Sequence, residues 1–97
     1  NLGRPGAQFG PNQIKTHLAK LPCFVNEELV DLGSIYCIDH DLESAQKQFG
    51  HLISLCHQQG HRTIGMGGGH EIAWAHYQGL SSHYKNLGII NFDAHFD

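Results

Sequence analysis

Apolar positions along this chain follow two patterns in alternation, helical recurrence and short unbroken runs. From Asn12, a residue suited to capping, Ile14, His17, Leu18 and Leu21 recur at helical spacing until Pro22, which predicts a short amphipathic helix. A stronger pattern begins after Asp41. Leu42, Ala45, Phe49, Leu52, Ile53 and Cys56 share one face, Glu43 and Lys47 pair on the other, and Gly60 marks the end. A third helix is expected over 71–77, directly after His70.

A brief apolar run at 29–33 could be a strand, 61–66 reads as a strand running into the glycines, and 87–92 is an apolar run without alternation, suited to a strand covered on both faces. Residues 1–11, rich in Gly and Pro, read as a loop, and 81–86 as a polar connection. The order helix, strand, helix, strand predicts an α/β fold with a parallel sheet and crossover helices. Ligand crevices in such sheets lie outside the carboxyl ends of the strands. His70 follows one such end, and Asp93, His95 and Asp97 follow another.

Those residues are the chemically informative ones. In an extended segment alternate side chains share a face, so Asp93, His95 and Asp97 converge. Clustered carboxylates favour a cation among their oxygens. Imidazole with carboxylate and no thiolate suits Mn²⁺, with Fe, Co or Zn as alternatives. In paired-metal sites a carboxylate bridges the ions and the shared water becomes acidic enough to act as a nucleophile near neutral pH. The glycines before His70 fail as a nucleotide loop, since His70 stands where a dinucleotide fingerprint needs its last Gly and no Lys-Ser or Lys-Thr follows. They suit a sharp turn with close backbone approach.

Composition narrows the classes. Ninety-seven residues allow one small domain, and a start at Asn with a stop on an expected metal ligand reads as a segment of a longer protein. A net charge of −3, with six Lys and Arg scattered along the chain, argues against nucleic acid and anionic membrane as partners. No apolar run approaches the ~20 residues of a membrane span, so a cytoplasmic location is expected. Cys23, Cys37 and Cys56 are too irregularly spaced for a disulfide framework or zinc knuckle and are expected to be reduced and mostly buried. The remaining histidines share no metal spacing. Glu71 reads as a helix-dipole charge, Trp74 as core, and Arg62 as lying at the wrong end of its strand for the site.

Gly67-Gly68-Gly69-His70-Glu71 and Asp93-Ala94-His95-Phe96-Asp97 resemble the first two metal motifs of the arginase, or ureohydrolase, family. Further similar stretches are residues 3–7 with 10–11, 42–46, 60–64, 67–74 and 89–97. The resemblance implies a three-layer α/β/α fold with a binuclear manganese cluster that hydrolyses C–N bonds. It makes 1–97 a partial, N-terminal arginase-like domain that stops before a second, Asp-x-Asp, metal motif. Carried onto this sequence, His70, Asp93 and Asp97 would hold one Mn²⁺, and Asp93 and His95 the other. Asp97 would also be catalytic, moving a proton to the leaving amine.

Arginases and agmatinases more often show Gly-Gly-Asp-His-Ser where this chain has Gly67-Gly68-Gly69-His70-Glu71. That difference favours the branch of the family acting on the small molecule N-formimidoyl-L-glutamate in histidine degradation, as a homo-oligomer when complete. Arg4 is then a candidate for binding substrate carboxylate. The alternatives are another ureohydrolase acting on arginine, agmatine or a guanidino acid, and a non-catalytic scaffold. With the second motif absent, residues 1–97 alone are expected to be inactive.

Overall fold

The computed structural model describes residues 5–95. Within them a short 3-10 turn, Ala7–Phe9, leads into helices α1 (Gly10–Leu18), α2 (Leu42–Gln58) and α3 (Ile72–Ser81). Helix α1 begins upstream of the cap expected at Asn12. Pro11 explains this, because a first-turn proline lacks only an N–H that would be orphaned anyway. The helix stops at Leu18 rather than Leu21, and the Lys20 and Leu21 amides close tighter turns onto the His17 and Leu18 carbonyls.

Helix α2 matches its sequence signals. The Ser44 amide donates to the Asp41 carboxylate at 3.0 Å, an N-cap worth about 1 kcal/mol. Lys47 and Glu43 pair at 2.8 Å, fully exposed and so of little weight for stability. At the other end Gly60 takes φ +83°, the Gly60 amide donates to His57 O and the His61 amide to Cys56 O. This is a Schellman closure, and it needs a residue free of a Cβ at position 60.

Helix α3 runs four residues past the expected end. Gly79 does not stop it, because Gly79 is where α3 crosses α2. A Cβ there would stand 2.5 Å from Gly50 O and 2.6 Å from Ile53 Cβ, so the two helix backbones meet with no side chain between them. Ile53 and Ala75, 5% and 2% exposed, and the buried Gly50, Ser54 and Gly79 surround the crossing. The Ser82 and Ser54 hydroxyls share a hydrogen bond at 2.8 Å. This crossing is the core of the described residues.

The sheet is not formed among the described residues. Residues 29–33, 61–66 and 87–92 carry no strand, and no ladder hydrogen bond joins the last two. Their apolar side chains face solvent, with Ile64 81%, Ile90 82% and Phe92 96% exposed. A strand covered on both faces requires a neighbour to pair with and a layer on each side, and these residues supply neither. Other expectations change for the same lack of cover. Trp74 stacks on Tyr77 at 5.8 Å but remains half exposed, and Cys23 and Cys37 are exposed free thiols, with Cys56 in between.

Asp31 closes a turn. It accepts from the Gly33 amide and pairs with Lys15 at 2.9 Å, and the Lys15 ammonium holds its carboxyl below the usual range. Arg62 pairs with Glu27 at 3.4 Å on the surface.

A four-residue chain of polar groups ties 61–66 to both helices. Tyr84 Oη meets His57 Nδ1, His57 Nε2 meets Thr63 Oγ1, and Thr63 Oγ1 meets His76 Nε2, each at 3.0 Å. The Phe49 ring stands edge-on to His76, and Gly65 fits between them. Burial, with the nearby His57, pushes the His76 imidazole below its ordinary value. The folded protein therefore binds fewer protons than the unfolded one as pH falls through about 6.5. The associated stability is complete above that pH and is lost below it. The melting temperature of the intact protein is expected to drop from about pH 7 to pH 5, and a His76→Phe variant to show a flatter profile; equal slopes would exclude His76 as a contributor.

Candidate metal centre

His70 enters from the turn before α3. The Ile72 amide donates to Gly69 O and the Ala73 amide to His70 O, so the helix begins to close around His70 itself. The glycines ahead of it serve close packing. A Cβ on Gly67 would lie 2.8 Å from Ile72 Cγ2, and one on Gly69 would collide with the Glu71 carboxylate, which folds back over it. Gln46 on α2 also donates to Glu71 O at 3.5 Å, a long contact that links the turn to α2.

Asp93 and His95 come from the end of the third apolar run, and they meet His70. The two oxygens of Asp93 face different imidazoles: His70 Nδ1 lies 3.3 Å from Oδ2, and His95 Nδ1 lies 3.2 Å from Oδ1. The His95 amide donates to the same Oδ1 at 3.0 Å and fixes the carboxylate rotamer. The hydrogen bond from that amide, the His95 ring and the neighbouring His70 imidazole hold Asp93 below the ordinary carboxylate range despite some opposing desolvation. Its ionised form is thus favoured in the fold, an advantage present above the unfolded pKa near about 4 and lost as pH falls through the lower folded value. The Asp93 side chain is 21% exposed and that of His95 80%, so the carboxylate is the more covered of the pair.

Asp97 and Arg4 lie outside the described residues. Among those described, no group of three or more His, Cys, Asp or Glu is arranged to hold a metal ion as it stands. The donors nevertheless fit the chemistry of a shared-carboxylate site: one anion offering an oxygen to each side, one imidazole nitrogen beside each oxygen, and no thiolate. What the sequence did not disclose is the polar chain through His57, Thr63, His76 and Tyr84, whose members share no periodicity and whose residue types are common in structural roles.

Compared with known families, the chain matches the arginase family over residues 1–97. It belongs to that family. Among curated proteins, a formimidoylglutamase of Legionella pneumophila (strain Lens) is 62% identical over 97 residues, covering all of this chain and 30% of the relative. Formimidoylglutamases of Vibrio cholerae and Chromobacterium violaceum are 45% and 42% identical, again across the whole chain but over only 31% and 32% of their own lengths. The chain thus spans about 30% of the length of the curated relatives it matches. No solved structure matches it. Among the described residues no helix is long and apolar enough to cross a membrane. Arginase-family membership supplies the α/β fold class to which 61–66 and 87–92 correspond in pattern, although they form no strand among the described residues.

Proposed function

We propose that the complete protein containing this arginase-family chain hydrolyses N-formimidoyl-L-glutamate to L-glutamate and formamide, with two Mn²⁺ ions resident in the site. The observation that carries this reading is the Asp93 carboxylate, each oxygen of which has its own imidazole neighbour. The similarity to proteins named formimidoylglutamase supplies the substrate. In this reading His70 and Asp97 would hold one ion and His95 the other, with Asp93 contributing to both. When bound, a pair of divalent ions acidifies water and polarises the carbon under attack.

The chain's own residues orient and move protons. The His95 amide donates to Asp93 Oδ1 and so helps to orient the carboxylate that would be shared. Asp97 carries the proton from water to the departing amino nitrogen of glutamate. Arg4 meets a substrate carboxylate. The reading also takes residues 61–66 and 87–92 as strands of a three-layer α/β/α domain completed by further chain, working in the cytoplasm in histidine degradation as a homo-oligomer.

The test uses the intact protein, stripped of metal by a chelator and reloaded with Mn²⁺. Formamide release from N-formimidoyl-L-glutamate is expected to return with Mn²⁺, with little urea formed from arginine or agmatine. Urea as the main product would reject the substrate assignment. Residues 1–97 alone are expected to show no turnover, since the ligands given above leave the ion of His95 with two protein donors.

A further inference from the structure

We infer that the hydrogen bond between Thr63 and His76 is a clasp across the base of the turn that carries His70, making these two residues positioning residues for the site. Thr63 lies seven residues before His70 and His76 six residues after it. The segment between them leaves 61–66, turns through the glycines and enters α3. Its two legs are joined where Thr63 Oγ1 meets His76 Nε2 at 3.0 Å, partly buried. Gly65, packed against Phe49 Cζ and His76 Nδ1, holds the legs close just above that bond. Closing a short loop at its base removes much of the conformational freedom its tip would otherwise have.

The direction of the bond is coupled to groups outside the loop. The Thr63 hydroxyl has one proton and stands between two imidazoles, so when it donates to one it accepts from the other. His57 is in turn held by Tyr84 Oη. Tyr84, which also packs edge-on against His83, thereby biases which tautomers of His57 and His76 occur together. The clasp is anchored on α2 through His57 and on α3 through His76, whose backbones already meet at Gly50 and Gly79. Movement of His70 relative to the paired helices then requires breaking the clasp or separating α2 from α3.

The experiment compares Thr63→Val, His76→Phe and Thr63→Ser in the intact protein. Amide hydrogen exchange is read at Ile72 and Ala73, whose N–H groups bond to Gly69 O and His70 O, against the amides in the middle of α2. Thr63→Val and His76→Phe are expected to speed exchange at Ile72 and Ala73 about tenfold or more, with α2 unchanged, while Thr63→Ser stays close to the parent. Mn²⁺ affinity, measured by electron paramagnetic resonance of the free ion, is expected to fall about tenfold in the first two and to be restored in Thr63→Ser. Equal acceleration of all amides, or none at Ile72 and Ala73, would overturn the clasp. The Mn²⁺ measurement alone depends on the proposed function: a parent protein that binds no Mn²⁺ but shows the local exchange effect would refute the metal assignment and leave the clasp standing.

Discussion

Asp93→Asn in the intact protein is expected to lower Mn²⁺ affinity and Mn²⁺-dependent formamide release by more than about a hundredfold, because groups that merely orient a metal ligand already cost 10 to 100-fold. The substitution keeps the size of the side chain and one acceptor oxygen. It removes the negative charge and gives the other position an N–H₂ group, which cannot accept from or face a cation beside an imidazole. The His95 amide can still donate to the remaining oxygen, so the local turn should survive and the melting profile should change little. Metal titration with and without the substitution checks the first part, and circular dichroism the second. Undiminished Mn²⁺ binding in Asp93→Asn would show that Asp93 is not shared between ions.

Gly79→Ala is the second large effect, and here two opposing terms decide the outcome. Alanine improves helix propensity by about 1 kcal/mol. Its methyl would stand 2.5 Å from the Gly50 carbonyl oxygen, and the obstacle is backbone, so relief requires moving α2 away from α3. Overpacking of this kind costs about 1–3 kcal/mol, and a contact against a rigid carbonyl belongs at the upper end. The net expectation is a loss of about 2 kcal/mol, read as a lower urea midpoint. Gly88→Ala, where a Cβ would meet nothing within 4 Å, serves as the control and should be close to neutral. A Gly79→Ala protein more stable than its parent would mean the crossing is looser than described.

Helix α2 was legible in the sequence because its cap, apolar face, Glu43–Lys47 pair and terminal glycine all agree. The ends of α1 and α3 were less so. Pro11 looks like a breaker until it is placed in the first turn, and Gly79 looks like a stop until the partner helix is seen to need its missing side chain. The meeting of His70 with Asp93 followed from topology, since each stands just past an apolar run, and the structure brings them to 3.3 Å even without a formed sheet. The apolar runs themselves were legible as sequence patterns only. Strand formation depends on partners that no local signal can supply, and for that reason Trp74 and Cys37 are more exposed than their residue types suggest. The clasp was not legible at all, because nothing in the spacing of His57, Thr63, His76 and Tyr84 distinguishes them from unconnected polar residues.

The uncovered run at 87–92 bears on how such a chain behaves at concentration. Ile89, Ile90 and Phe92 present oily surface on a backbone with open hydrogen-bonding edges, and no Lys, Arg, Asp, Glu or Pro interrupts them. Chains in that condition find one another by edge-to-edge pairing, and Asp93 sits directly behind the stretch most prone to clumping. Asp93, the first charge after the run, stands where a gatekeeper residue slows that encounter.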